Sequence, residues 1–374
     1  MNRTLKTLAG GSAAIWLVAV AMAPARAWGN LLLASYGLVC VGLAGVFFVA
    51  LQYACGAGWS VAFRRVPEAM PAILPFGAAG LAATFLLRPA LYPWTSGGHA
   101  ANSFQAGWLT LPFFLARAAV YLAVWMLLAA LIVRASRAQD PGGEVRLTRN
   151  NVRLSVIFLV VFAVTFWLAS YDWVMSLEPH WASTIFGVYN FAGMFSSGLA
   201  VLILLVLWMR RAGPLRDFVT EEHLHDLGKL LFAFCTFWMY IWFSQYMLIW
   251  YADITEETTY FVRRQHELWQ PLFFLNVVLN WGVPFLVLLP QKAKRSPGVL
   301  AKVAVVVLLG RWLDLYQMIL PPIAGTAPHF GLPEIAPVAC AGALFLLVFK
   351  KRFDSAPPVP VGDPYLEESL HYHN

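Results

Sequence analysis

Ten apolar stretches separated by short polar connections set the limits on what this chain can fold into. They run roughly over 9–24, 29–56, 68–88, 111–134, 153–173, 184–209, 226–252, 267–288, 299–320 and 335–350. Crossing the hydrocarbon core of a bilayer takes about 20 apolar helical residues, and these runs meet or approach that length. Lipid offers backbone amides no partners, so a spanning segment is either a helix or a strand of a closed barrel. The runs are continuously apolar and lack the alternation of barrel strands, which leaves helices. Composition agrees: 60% of the 374 residues are hydrophobic and 12% are charged, too little polar surface to cover a soluble globule of this size. The expected fold is an all-α polytopic membrane protein, with an integral membrane domain over 1–353 and a polar cytoplasmic tail over 354–374. The internal connections, the longest near 89–110, 135–152 and 253–266, are too short to fold by themselves.

Basic residues orient the chain. With the amino terminus inside, 20 of the 26 Lys and Arg fall on the cytoplasmic side: Arg3, Lys6, Arg64, Arg65, Arg134, Arg137, Arg146, Arg149, Arg153, Arg210, Arg211, Arg216, Lys229, Lys292, Lys294, Arg295, Lys302, Lys350, Lys351 and Arg352. Arg26, Arg88, Arg263 and Arg264 go to outer loops, and Arg117 and Arg311 lie within spans. This is the positive-inside asymmetry, and it is expected to place both termini on the cytoplasmic side. The net charge of +7 therefore reports orientation, and no compact basic domain exists to hold nucleic acid. Arg3, Lys6, a short apolar core and Ala25-Arg26-Ala27 also resemble a secretory signal. Its removal would leave nine spans in the same orientation. Trp28, Tyr92, Trp94, Trp173, Trp181, Trp208, Trp250, Tyr251 and Trp269 fall near span ends, where an aromatic belt is expected.

A charge at mid-bilayer costs a few kcal/mol on insertion scales, so each one present needs a partner or water. Arg311 and Asp314 are three apart on the ninth span, which puts them on one helical face as an ion pair. Arg117 and Tyr121 are one turn apart near the outer end of the fourth. Polar groups gather in the outer half, where Asp172, Glu178, His180, Ser244, Gln245, Asp253, Arg263, His266, Glu267 and Gln317 join them. Glu68, at the start of the third span, is the main inner exception, and Asn276 and Asn280 share a face of the eighth. Such groups can relay protons through water, or can simply be helix-packing hydrogen bonds. Pro284 cannot donate to the Asn280 carbonyl and Pro75 cannot donate to that of Pro71, so kinks or a polar interior are expected there. Gly193 with Ser197, and Gly77 with Gly80, offer small-residue packing faces. Asp253, three residues before Glu256, is placed to cap a short helix running to Gln265.

His99, His180, His223, His225, His266, His329, His371 and His373 fall in loops, span ends or the tail, so facing helices offer no axial pair for a haem. Cys40, Cys55, Cys235 and Cys340 stand singly, without the spacing of an iron–sulfur or zinc site. The expectation is that this chain binds no metal and that any redox centre belongs to a neighbour.

The stretch Tyr171-Asp-Trp-Val-Met-Ser-Leu-Glu-Pro-His-Trp-Ala-Ser-Thr-Ile-Phe-Gly-Val-Tyr189 resembles the hallmark segment of the F-type membrane subunit of alternative complex III, a bacterial quinol:electron-acceptor oxidoreductase. Ala50-Leu-Gln-Tyr, Gly56-Ala-Gly-Trp-Ser and Arg64-Arg-Val-Pro-Glu-Ala-Met70 extend the resemblance over nearly the whole chain. It implies ten helices related to the NrfD/polysulfide-reductase membrane subunits, with four-helix bundles formed by spans two to five and six to nine. It also implies partners: an NrfD-like relative that handles menaquinone or ubiquinone, an iron–sulfur subunit and c-type haem subunits, with a terminal oxidase as a candidate acceptor. Under it, this chain contributes a proton path rather than a catalytic residue, and Asp172, Glu178 and His180 are matched motif positions. The candidate path residues are Glu68, Asp172, Glu178, His180, His266, Asn276, Asn280, Arg311 and Asp314. A secondary transporter, favoured by inverted repeats and discontinuous helices meeting at mid-membrane, and a purely structural anchor are the competing readings.

Overall fold

A computed structural model describes residues 2–97, 103–325 and 327–373. Its long helices are α1 (Asn2–Met22), α2 (Pro24–Ala54), α3 (Arg65–Leu87), α4 (Leu111–Ala138), α5 (Val145–Trp173), α6 (Phe186–Ala212), α7 (Glu221–Ala252), α8 (Gln270–Leu288), α9 (Pro297–Ile319) and α10 (Leu332–Phe353). Nine of them, among the described residues, are long and apolar enough to cross a membrane. The other, α9, spans 23 residues but carries Lys302, Arg311 and Asp314. No strand occurs among the described residues. His99 lies outside those residues, as does the side chain of Glu267.

The helices form the two expected bundles. In the first, α2 packs on α3 and α5, and α4 bridges α3 and α5; in the second, α6 packs on α7 and α9, and α8 lies between α7 and α9. Contacts of α2 and α5 with α6 join the two. Burial tracks this order: 78% of the most apolar window of α2 and 72% of that of α6 is buried, against 11% for α1, which with α10 flanks the outside of α2. Lipid gives two apolar helices no hydrophobic reason to associate, so close packing must do it. A Cβ on Gly198 of α6 would collide with that of Ala44 on α2, and one on Gly45 would lie 2.6 Å from the Met70 Cβ. The expected small faces are used as well: Gly77 would meet Val39 at 2.8 Å, Gly80 abuts Ser35, and Gly193 abuts the Arg311 guanidinium.

Prolines interrupt two helices. In α3, an α-helical start over Arg65–Ala69 passes through a 3-10 turn at Met70–Ile73 before Leu74–Leu87 resumes. In α8, a π-helical turn at Val278–Gly282 lies directly before Pro284, the widened geometry that absorbs a missing donor.

Several expectations are corrected. Residues 145–153, assigned to a basic loop, are the first turns of α5. Asp253 does not cap the helix Thr255–Gln265, whose N-cap is Ile254; it ends α7 in the left-handed region, at φ 46°. Of the aromatic residues assigned to a belt, Tyr92, Trp94, Trp173, Trp181 and Trp269 are core residues, whereas Trp250 and Tyr251 are 67% and 84% exposed. The tail folds back on its own chain. Asp363 pairs with Arg64, the Ser369 hydroxyl donates to the Trp59 carbonyl at 2.6 Å and accepts from the Ala62 amide at 2.9 Å, and the Tyr372 hydroxyl donates to Asp226 at 2.7 Å.

The cross-links sort the connections onto two faces. Arg64–Asp363, Arg65–Asp140, Arg137 to the Arg352 carbonyl and Arg295–Glu222 tie one set together at the tail face. Arg26–Glu334, Gln105 to the Pro179 carbonyl and Arg264–Glu178 tie the other set together at the far face.

Candidate functional site: carboxylates at the far face and within the second bundle

The stretch 171–189 connects α5 to α6, and therefore one bundle to the other. It supplies one member to each of three buried polar groups.

Asp172, in the last turn of α5, is gripped by Arg117 of α4. Nε donates to Oδ2 at 2.9 Å and a terminal nitrogen to Oδ1 at 2.8 Å, the two-bond fork that a planar guanidinium makes with a carboxylate. Trp108 Nε1 donates to Oδ1 at 2.8 Å and the Tyr121 hydroxyl to Oδ2 at 3.3 Å. Arg117 also donates to the Trp108 carbonyl at 3.0 Å and stacks on the Trp108 and Phe113 rings. Four donors occupy the carboxylate.

Glu178 holds two cations from the helix Thr255–Gln265: Arg264 at 2.7 Å and the exposed Arg263 at 3.2 Å. Arg264 is 2% exposed, donates to the carbonyls of Gln317 and Tyr260 at 2.7 and 2.8 Å, and lies over the Tyr260 ring. Trp181 stacks on that ring at 4.1 Å and donates to the Glu257 carbonyl at 3.0 Å, which fixes the helix against the loop.

Tyr189, one turn into α6, donates its hydroxyl to Asp314 of α9. Asp314 also takes Arg311 at 2.6 Å and Asn276 Nδ2 at 3.1 Å, and Asn280 Nδ2 donates to Asn276 Oδ1 at 2.7 Å. Arg311 reaches Asn190 Oδ1 at 3.4 Å. Asp314 and Asn190 are fully buried. This group keeps unused capacity: Arg311 Nε and Asn190 Nδ2 are buried without a partner among the described residues. Gly310 lets α9 approach Asn280, where a Cβ would lie 2.9 Å from the amide.

A small cavity of about 10 Å³ separates the second and third groups; Tyr189, Gln245, Tyr260, Arg264, Asp314 and Gln317 give its polar wall and Trp242, Phe261, Phe273 and Met318 its apolar one. That is roughly the volume needed to seat one water. Gln245 Nε2 and Gln317 Nε2 are further buried donors without a protein partner.

The structure thus brings Asn276, Asn280, Arg311 and Asp314 together, with Glu178 across the small cavity. Asp172 belongs to a separate group in the first bundle. Glu68 shares no hydrogen bond or ion pair with any of these among the described residues. It sits at the tail face with Arg65 and Ser136, and Arg65 continues to Asp140 at 2.6 Å. Glu68 and Arg352 line a separate cavity of about 300 Å³ between α3, α4 and α10. His180 and His266 are exposed at the far face; His180 lines a cavity of about 450 Å³ beside Asp172. Tyr189, Asn190 and Trp108 were missed as site residues. A tyrosine and an asparagine adjacent in an otherwise apolar run are a signal for the first two; Trp108, in the far-face connection, offers none.

No group of three or more His, Cys, Asp or Glu positioned for a metal occurs among the described residues. Fold and polar groups together define an all-α polytopic membrane protein with buried ion pairs in each of its two bundles. No family model matches the chain, and no curated protein is significantly similar to it.

Proposed function

We propose that this chain is an integral membrane subunit of a bacterial respiratory quinol:electron-acceptor oxidoreductase of the alternative complex III type. It lies in the inner membrane with its tail face in the cytoplasm and contributes to proton translocation. The observation that carries this reading is the position of the 171–189 stretch. The same residues that resemble the family's hallmark segment supply Asp172, Glu178 and Tyr189 to three polar groups and join the bundles. Electron transfer from menaquinone or ubiquinone belongs to partner subunits carrying iron–sulfur clusters and c-type haem, and no residue of this chain is assigned a catalytic role.

Asp314 is the favoured proton-carrying group. It has a tyrosine, an asparagine and an arginine as hydrogen-bond neighbours and faces a cavity suited to one water, so a proton passing between Asp314 and the Glu178–Arg264 pair needs a single intermediate. Release at the far face matches the chemistry of quinol oxidation on that side. Glu68, at the tail face, is the candidate uptake group. Each bundle contains four helices, so the second starts in the same direction as the first; the pair is parallel rather than inverted, which counts against a transporter of the inverted-repeat kind.

The test is gentle solubilisation followed by subunit identification, a haem spectrum and reconstitution. The expected result is recovery with iron–sulfur and c-type haem subunits, and an Asp314→Asn complex that still oxidises quinol but moves fewer protons per electron. Recovery of the chain alone would overturn the assignment to this complex. An unchanged proton ratio in Asp314→Asn would overturn the role of that residue.

A further inference from the structure

At the tail face of the second bundle, the end of α6 and the start of α9 enclose a cavity of about 950 Å³ that belongs to none of the groups above. Its polar wall is Arg210, Arg211 and Arg216, with Asp217 as the single opposing carboxylate. Its apolar wall includes Leu207 and Ala301. The three guanidinium groups make no hydrogen bond or ion pair with any described residue, in contrast to Arg64, Arg65 and Arg295 on the same face, each of which holds a carboxylate. Local backbone geometry places them. α6 stops at Gly213, whose φ of 111° lies where a side chain would be strained, and the chain curls back through Leu215 N to the Met209 carbonyl at 3.3 Å. That curl brings Arg216 beside Arg210 and Arg211. Across the cavity, α9 begins at Pro297 and Gly298 with no side chain capping its first turn, and the space beside Gly298 is open. Its unsatisfied amides add partial positive charge to the same space.

Three unpaired guanidinium groups outweigh the one carboxylate and favour an anion, and planar, forked donors suit phosphate oxygens. An apolar wall at the ends of two spanning helices demands that the same molecule carry a chain. A soluble phosphate uses only the first feature. We propose that this cavity binds the phosphate of an anionic phospholipid, with its glycerol and chain against Leu207 and Ala301, on the leaflet at the tail face. The proposal is independent of which complex the chain joins.

The experiment uses the purified full chain, in its complex where it co-purifies. The thermal midpoint is followed during titration with short-chain phosphatidylglycerol, phosphatidylcholine and inorganic pyrophosphate. Phosphatidylglycerol is expected to raise the midpoint where phosphatidylcholine and pyrophosphate do not. In Arg210→Gln/Arg211→Gln/Arg216→Gln the half-saturating concentration should rise at least about tenfold. Ala301→Trp blocks the apolar side without changing charge, and should abolish the response while leaving the lipid-free midpoint close to that of the parent. An unaltered response in either variant overturns the site. An equal response to phosphatidylcholine overturns recognition of the anion, and an equal response to pyrophosphate overturns the lipid as its source.

Discussion

Asp172 and Asp314 are both buried aspartates near the carboxyl ends of the fourth helices of their bundles, and both face an arginine and a tyrosine. They differ in how completely they are satisfied. Asp172 receives four donors, including both arms of the Arg117 fork. Asp314 receives three, beside an arginine and an asparagine with donors to spare and a cavity of one-water size. A carboxylate with every lone-pair direction occupied is fixed in place, which suits a rivet between helices. One with loosely committed neighbours can lose or gain a proton with less rearrangement. Identical chemistry thus yields a fastener in one bundle and a candidate carrier in the other.

The largest predicted effect separates the two at the level of stability. Arg117→Met leaves Asp172 buried beside only neutral donors, and removing one partner of such a pair costs about 3–5 kcal/mol. The expected outcome is a severe drop in yield and in the thermal midpoint of the solubilised protein, partly restored when Asp172→Leu is added and no charge remains. Arg311→Met should be milder, because the Tyr189 and Asn276 donors to Asp314 remain beside a cavity that can seat a water. Equal losses in the two arginine variants would erase the distinction.

A smaller effect probes packing around the carrier. The Arg311 guanidinium lies against Gly193, so Gly193→Ala forces it to shift; overpacking of this kind costs about 1–3 kcal/mol. Because the displaced group is the counter-ion of Asp314, the proton-to-electron ratio of the complex should fall while quinol oxidation persists. Gly198→Ala, at the Ala44 contact between bundles, should cost more stability, because a Cβ cannot swing aside as a guanidinium can, and leave that ratio unchanged. Differential thermal unfolding and proton-uptake measurements on the two variants decide the matter.

How legible this was from sequence depended on the range of each interaction. The spans and their order follow from apolar runs, because lipid forces every crossing segment to be helical, whereas the grouping into two bundles came from the family resemblance alone. The Arg311–Asp314 pair was readable because its three-residue spacing is local to one helix. Arg117 and Asp172 were each flagged, but their pairing across 55 residues is a property of packing. The aromatic belt failed for a related reason: position near a span end says nothing about which way a ring points, and Trp173 and Trp181 point inward. The docking of the tail was not legible because Asp363, Ser369 and Tyr372 bind single groups far away in the sequence and carry no periodicity. Glu68 is buried at the tail face, yet the route from it to Asp314 had no support in spacing and finds none in hydrogen bonds among the described residues.

The smallest predicted effect is also the finest test of the contrast between the two aspartates. Tyr121 and Tyr189 each donate one hydrogen bond to their aspartate, and such bonds in helical membrane proteins are worth about 0.6 kcal/mol on average. Tyr121→Phe and Tyr189→Phe should therefore shift the thermal midpoint slightly and by similar amounts. Their functional consequences should diverge. Asp172 keeps the Arg117 fork and Trp108 when Tyr121 loses its hydroxyl, so nothing about its charge changes. Asp314 loses one of three donors and the one that borders the small cavity, so the proton-to-electron ratio should fall in Tyr189→Phe alone. If Tyr121→Phe altered that ratio equally, Asp172 would belong to the proton path, and the division between fastener and carrier would be wrong.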